Sequence, residues 1–136
     1  MSFDTKIALI VRDDLEDWQK LNVTAFLMSG IVGANPDLIG EIYKDKDGKT
    51  HLPISRQPEI MLTGAANVLT NIRFRADQRK VETVAYIEEM FNTGNDEANR
   101  GDFAEHEASE ANTVGMALMA DKKIVDKITK GAKMHK

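Results

Sequence analysis

The first thing this sequence lacks is cysteine, which does not occur among its 136 residues. Disulfide bonds and zinc sites with thiolate ligands are therefore excluded, and nothing in the chain requires an oxidising compartment. No apolar run approaches the roughly 20 residues that span a bilayer, and the opening residues MSFDTK are too polar for a signal peptide. We therefore expect a cytoplasmic protein without a membrane partner.

Basic residues are also few relative to acidic ones, since the sequence has 18 Lys and Arg residues and 22 Asp and Glu residues. The net charge of -4 opposes nonspecific binding of nucleic acid unless the basic residues share one face. Histidine is scarce as well, and His51 and His106 have no partner ligands at metal-binding spacing. We expect no metal and no cofactor, and we treat both histidines as structural or exposed.

What the sequence does contain is enough apolar material for a core, and we expect one α/β domain over residues 1–136. Apolar runs at 7–11, 59–63, 83–87 and 113–119 predict strands, and helical patterns separate them. Segments 39–43 and 50–54 flank a charged turn with Asp-Gly at its tip, which predicts a hairpin or protruding ribbon. The expected fold is a three-layer α/β/α sandwich around a mixed, mostly parallel sheet of four or five strands.

The first helix and the loop before it are candidates for a functional site, because they follow a strand that should be buried on both faces. Asp17 is a plausible N-cap, so the first-turn amides and Lys20 could hold an anion. The alternative is that Lys20 is an ordinary solvated lysine. The expected buried stripe of this helix is Trp18, Leu21, Ala25, Met28 and Val32, widened by Thr24, Leu27 and Ile31.

Residues 88–100 (EEMFNTGNDEANR) follow the strand at 83–87 and are dense in groups that form hydrogen bonds. If the strands carrying this loop and the loop at 12–20 are adjacent and parallel, both loops line one crevice. Asp96, Asn99 or Arg100 should then be partly buried and hydrogen-bonded toward Lys20 or Trp18. The alternative is a plain polar surface turn.

Four basic residues lie at the end of the helix at 65–76 and just after it, namely Arg73, Arg75, Arg79 and Lys80. Such charges suit the helix dipole, and a phosphate-contacting patch is the functional alternative. Residues 96–111, with a weak apolar stripe, predict a poorly buried helix or a mobile cover. Asp121 is expected to cap the last helix.

Two ends of the chain resemble a known family. KIALIVRDDL and TVGMALMADKKIVDKITKGAKM are similar to the first and last elements of type II peptidyl-tRNA hydrolases. The whole chain resembles more closely a bacterial domain-of-unknown-function family, number two thousand in its series, through WQKLNVTAFLMSG, EEMFNTGNDEANR and VDKITKG. This resemblance implies the hydrolase fold, but the closer family carries no established activity.

Compared residue by residue, the hydrolase resemblance is incomplete. Lys20 matches a basic residue that opens the first helix, after a one-residue gap. The hydrolase motif Asp-Ala-Gly-x-Thr falls on Glu89 to Thr93, where only Thr93 is retained. The hydrolase Gln and His correspond to Thr24 and Leu27, and segment 94–112 is much longer than the hydrolase connection.

From these patterns we expect a protein that binds a small anionic or polar ligand in a crevice at the strand ends. The candidate catalytic residues are Lys20, Glu89 and Thr93. The candidate ligand-binding residues are Arg12, Asp13, Trp18, Glu88, Asp96, Asn99 and Arg100.

Two other functions stay open. One is peptidyl-tRNA hydrolysis, which would make the protein a hydrolase with transfer RNA as its partner. The other is a noncatalytic interaction module that uses the ribbon tip and the acidic segment. A homodimer is expected, since the hydrolases it resembles commonly form dimers and the Met-rich strand edges could pair between subunits.

Overall fold

A central strand, β1 (Thr5–Arg12), is buried on both faces as its unbroken apolar run predicts. The structure, a computed structural model, describes residues 3–110 and 112–136. Ile7, Leu9 and Val11 belong to one buried cluster, whereas Ala8 and Ile10 belong to another. Since successive side chains of a strand point to opposite faces, β1 contributes to two cores.

The remaining strands are β2 (Tyr43–Lys44), β3 (Thr50–His51), β4 (Glu59–Gly64), β5 (Thr83–Ile87), β6 (Thr113–Asp121) and β7 (Lys133–Met134). Four of them join β1 in a sheet of order β5-β6-β1-β4-β7, and β2 pairs with β3 in a separate ribbon. The ribbon agrees with the hairpin that the Asp-Gly turn predicts. Strand β7 has no counterpart in the sequence prediction, because two residues are too short to show a pattern.

The mixed α/β sheet is confirmed, but its mostly parallel character is wrong. Within the described part of the chain only β1 and β4 pair in parallel, whereas β1 with β6, β5 with β6, and β4 with β7 pair antiparallel. The reason is that the chain after β5 leads directly into its neighbour in the sheet, β6, which then runs in the opposite direction. Antiparallel neighbours need no helix packed on the sheet between them.

Residues 3–110 and 112–136 also contain four α-helices: α1 (Asp17–Ala34), α2 (Ala66–Gln78), α3 (Asp96–Ala104) and α4 (Lys122–Ile128). Val23, Leu27 and Ile31 of α1 pack into one cluster, and α2 and α4 pack into the other. Helix α3 buries no residue, as its weak stripe predicts. Asp121 caps α4 by accepting a 3.0 Å hydrogen bond from the Lys123 amide, so that prediction is confirmed.

The predicted buried face of α1 is confirmed at Leu27 and Ile31 and wrong at the start of the helix. Trp18 is 61% exposed and Leu21 is 72% exposed, whereas Val23 is fully buried. The buried row is Val23, Leu27 and Ile31, and it lies against Gly115 of β6, which leaves room for the helix to approach. Helix α1 is apolar on two sides, and its sequence periodicity could not tell which side meets the sheet.

No helix in the described ranges is long and apolar enough to cross a membrane. The expectation of a single domain over residues 1–136 stays a prediction.

Candidate functional site

The carboxyl ends of strands β1, β4 and β5 lie at the same end of the sheet, where α1 and α2 also begin. Arg12 closes β1 there, and only 13% of its side chain is exposed. Its Nε lies 2.6 Å from Asp14 Oδ1, and its NH2 nitrogen lies 3.7 Å from Glu88 Oε1. The structure thus brings two predicted site residues together, Arg12 and Glu88. The guanidinium charge is already offset by two carboxylates, which leaves little of it for an anionic ligand.

The start of α1 is capped differently from the prediction, because the N-cap is Glu16 and not Asp17. Glu16 and Gln19 form a capping box, in which the Glu16 amide donates to Gln19 Oε1 at 2.9 Å. A carboxylate therefore occupies the helix start where an anion was expected. Asp13 is exposed, and its amide donates to the Gly64 carbonyl at 2.9 Å.

Lys20 lies on a different side of α1 from Trp18. The two residues are separated by about 200° around the helix axis, since each helical residue turns by about 100°. Lys20 Nζ is 3.2 Å from His135 Nε2, just beyond β7. Trp18 packs instead against Phe91, with ring centroids 5.9 Å apart. Lys20 is therefore not grouped with the residues that follow β5.

Aromatic side chains that the sequence analysis did not single out connect α1 to the segment after β5. Phe91 contacts Tyr86 at 5.3 Å between centroids, and Tyr86 contacts Phe26 at 5.6 Å. Burial raises the pKa of the Tyr86 phenol. The signal in the sequence was the recurrence of aromatic residues at 86 and 91, on either side of the strand end.

Thr93 and Asn99 come together beside this aromatic group, and both are half-buried. The Thr93 hydroxyl lies within reach of Asn99 Oδ1 and of the Met90 carbonyl, the latter at 3.0 Å. A hydroxyl has one proton, so it can donate to only one acceptor. Turning the Asn99 amide would let its nitrogen donate to Thr93, and Thr93 could then donate to Met90.

Asp96 and Arg100 are exposed and pair with each other along α3. Among residues 3–110 and 112–136, neither they nor Asn99 hydrogen-bonds to Lys20 or Trp18. Asn99 alone is partly buried, through its contact with Thr93. The assignment of this loop to a functional crevice stays a prediction.

Glu88 and Glu89 begin a 3₁₀ helix (Glu88–Asn92) that follows β5, and Glu89 points away from Glu88 toward His106. His106 Nε2 lies 3.0 Å from Glu89 Oε2, although the geometry is not that of a hydrogen bond. That oxygen is buried and has no hydrogen-bond partner within the described part of the chain. No group of three metal-ligating side chains occurs in the same ranges.

A large concave surface lies elsewhere, along the β5 edge of the sheet. This surface, the α2–β5 groove, has a volume of about 990 Å³ and runs between α2, the outer strand β5 and residues 103–109. Its lining combines aromatic, small and charged side chains, namely Arg73, Phe74, Asp77, Lys80, Thr83, Ala85, Phe103 and Glu107. Arg73 and Lys80, from the basic group that the sequence offers as a phosphate-contacting patch, line it, whereas none of the residues predicted for the strand-end crevice does.

Arg73 is the central polar group of the α2–β5 groove. Its guanidinium lies 5.2 Å from the centroid of the Phe103 ring, and its NH1 nitrogen donates to Thr113 Oγ1 at 3.1 Å. Burial lowers the pKa of Arg73, and the charge of Asp77 opposes that shift. Arg73 is thus a half-buried cation that is not bonded to a carboxylate among the described residues. Such a cation can bind an anionic group of a ligand.

The other arginines predicted as a patch have different roles. Arg75 donates through NH1 to the carbonyls of Ile128 and Lys130, at 3.1 and 2.7 Å. It therefore satisfies carbonyl groups at the end of α4, as a basic residue at a helix C-terminus can. Arg79 is exposed and reaches back to the Arg75 carbonyl at 3.4 Å. Arg75 and Arg79 therefore lie outside the α2–β5 groove, whereas Arg73 and Lys80 both line it.

Comparison with known proteins identifies relatives without assigning an activity. The family described as protein of unknown function (DUF2000) matches residues 5–136. A solved structure of a protein of unknown function from Agrobacterium tumefaciens strain C58 is 55% identical, with a TM-score of 0.98 over 99% of this chain and 100% of that one. Nothing among the curated proteins is significantly similar to the chain. The expected resemblance to the domain-of-unknown-function family is confirmed.

Proposed function

Because this chain belongs to the DUF2000 family of proteins of unknown function, we propose a function from its own surface: it binds a small amphipathic carboxylate in the α2–β5 groove. The observation that carries this proposal is Arg73, a half-buried cation held over the Phe103 ring at the centre of this large groove. Ligand sites are typically large concave surfaces with a few converging polar groups and a perturbed pKa.

The charges around the groove define the ligand class more closely. The lining contains two basic residues, Arg73 and Lys80, and they are outnumbered by three exposed acidic residues, Asp77, Glu82 and Glu107. These acidic residues repel a polyanion, whereas a single carboxylate can meet Arg73 and remain distant from them. Phe74, which is 63% exposed, and Phe103 offer apolar surface for the body of such a ligand. A monocarboxylate with an aromatic or alkyl group therefore fits better than a nucleotide.

Phenylacetate is a suitable probe, with ATP as the polyanionic comparison, and isothermal titration calorimetry measures both. Wild-type protein should bind phenylacetate and not ATP. Arg73→Gln should weaken phenylacetate binding roughly tenfold or more, since it removes a charge-assisted hydrogen bond. Arg79→Gln, an exposed arginine at the end of the same helix and outside the groove, should change affinity less than twofold.

Two results would contradict the groove proposal: no binding of phenylacetate or longer aryl and alkyl monocarboxylates, or binding that Arg73→Gln leaves intact. Circular dichroism and urea unfolding check that the variants fold, because Arg73 also contacts Thr113. Chemical-shift changes in the wild-type protein give an independent readout, and they should concentrate at Thr83, Ala85 and Phe103.

The finer description of the fold belongs to the same proposal. We take the molecule as a three-layer α/β/α sandwich of the type II peptidyl-tRNA hydrolase kind. The support is α1 against one cluster of the sheet and α2 with α4 against the other.

Hydrolysis at the strand-end region is a second candidate function, favoured by one observation. Glu89 has a buried oxygen without a hydrogen-bond partner in the described ranges, and His106 lies beside it. A carboxylate and an imidazole this close could move a proton to or from a water molecule. The position of Lys20 beside His135 weighs against this candidate, since the expected cation is absent from the group around Thr93.

A further inference from the structure

Two apolar surfaces of this protein are open to water. The first, which we call the outer stripe, consists of Trp18, Leu21 and Phe26 of α1, which are 61%, 72% and 50% exposed. One side of the Trp18 ring packs against Phe91 and one side of the Phe26 ring against Tyr86, and the rest of each ring is open to water. The second is the ribbon, residues 39–55, which contains β2 and β3. Both surfaces lie outside the α2–β5 groove and serve no purpose in the function proposed above.

The ribbon presents its apolar side chains on one face. Tyr43 pairs with His51, and the Gly40 amide donates to the Ile54 carbonyl at 3.0 Å. This register puts Ile42 opposite Leu52, and alternation places Ile54 on the same face as these two. The three are 60%, 87% and 61% exposed. A two-stranded ribbon is marginally stable alone, so an uncovered apolar face on it indicates that something packs there.

The combined area of the two surfaces matches what a dimer requires. Six side chains are involved, three from the outer stripe and three from the ribbon. At roughly 180 Å² for each side chain, they expose about 700 Å² in total. A standard interface takes about 800 Å² from each partner, so the two surfaces together approach what one molecule contributes to a dimer.

The charges beside the two surfaces are complementary. The ribbon tip carries three exposed lysines, Lys44, Lys46 and Lys49, against two acidic residues, Asp45 and Asp47, so its net charge is +1, and the Asp45 carboxylate is bound to His51 and the turn amides. The outer stripe begins next to a cluster of exposed acidic residues, Asp13, Asp14, Glu16 and Asp17. A ribbon that lies along another molecule's α1 with its tip toward the helix start would bring these opposite charges together.

We propose that the ribbon of one molecule packs on the outer stripe of a second copy of this chain, and that the same contact is made in return. A two-fold axis satisfies both contacts at once and closes the assembly as a dimer, because each molecule carries both surfaces. The apolar face of the ribbon then covers Trp18 of the partner molecule. No other protein is needed to explain either surface.

Trp18 makes the proposal directly testable, since it is the one tryptophan in the sequence. Analytical ultracentrifugation at micromolar concentrations should show a dimer. Tryptophan emission should be blue-shifted and protected from acrylamide in the dimer, and should move to the red on dilution. Leu52→Lys, a change in the ribbon only, should weaken dimerisation roughly 30-fold or more, the scale of an interface hot spot. It should also leave Trp18 emission red at every concentration.

Phe74→Lys is the matched control, because Phe74 is similarly exposed but lies on α2 outside both surfaces. It should leave the dimer and its emission unchanged. Leu21→Lys should reproduce the effect of Leu52→Lys from the other side of the contact, and circular dichroism confirms that each variant folds. A wild-type monomer at high micromolar concentration overturns the proposal. So does a dimer that tolerates Leu52→Lys, or one in which Trp18 emission is the same as in the monomer.

Discussion

At the scale of single residues, Gly115 determines how closely α1 approaches the sheet. A Cβ atom at this position would overlap Val23 Cγ1 and would lie 3.1 Å from Leu27 Cδ1. Both neighbours are fully buried side chains of α1 and have no room to withdraw. Gly115→Ala should therefore lower the free energy of unfolding by about 1–3 kcal/mol, the usual cost of overpacking a core. Urea denaturation measures the change.

Gly33→Ala is the control for this experiment. Gly33 lies in α1, its backbone is not in the left-handed region, and nothing lies within 4 Å of an added Cβ. Alanine there should leave stability unchanged or raise it by up to about 1 kcal/mol, because alanine favours helix over glycine. Equal effects of the two substitutions would show that close packing at Gly115 is not what limits the approach of α1.

At the scale of elements, the turn of the ribbon depends on Asp45. Its Oδ1 atom accepts hydrogen bonds from the amides of Asp47 and Lys49, both at 3.0 Å, and its Oδ2 atom lies 2.9 Å from His51 Nε2. The contact with His51, followed by the Lys49 amide, lowers the pKa of Asp45 below its ordinary value of 3.8. A lowered carboxyl pKa means that the ionised form stabilises the folded turn.

The pH dependence of the turn follows from the sign of that shift. The stabilisation is fully present above the ordinary pKa of 3.8 and is lost as the pH falls through the lowered folded-state value. Asp45→Ala should mimic the acid state at neutral pH, with faster hydrogen exchange of the Lys49 amide and an unchanged urea midpoint. Asp47→Ala is the control, because the Asp47 carboxylate makes no hydrogen bond within the described residues. Unchanged exchange in Asp45→Ala would contradict this role.

At the scale of the whole molecule, the charge distribution argues against transfer RNA as a partner. The net charge is -4, and Arg75 contacts backbone carbonyls of α4. Phosphate backbones are held by several basic residues on one surface, and binding weakens steeply with salt. We therefore expect no release of free transfer RNA from peptidyl-tRNA and no filter binding at physiological salt. A known peptidyl-tRNA hydrolase serves as the positive control.

Release that is lost in Thr93→Ala would reverse this conclusion and establish the second candidate function. Release that Thr93→Ala leaves unchanged would point to a contaminating hydrolase. The experiment is independent of the α2–β5 groove, so its outcome does not depend on whether phenylacetate binds.

The sequence by itself determined the elements whose signals are local. The apolar run of β1, the Asp-Gly turn between β2 and β3, and the Asp121 cap of α4 depend on neighbouring residues only, and the structure contains all three.

Only the tertiary structure decided which surfaces meet. Helix α1 is apolar on two sides, so its pattern fits burial of either side, and contact with Gly115 selected Val23 over Trp18. Strand order placed the β5 edge beside α2 and made the groove around Arg73, which no run of neighbouring residues could indicate. Periodicity shows which side chains of an element are apolar. Whether such a side chain is buried depends on the element that packs against it, and that element is distant in sequence.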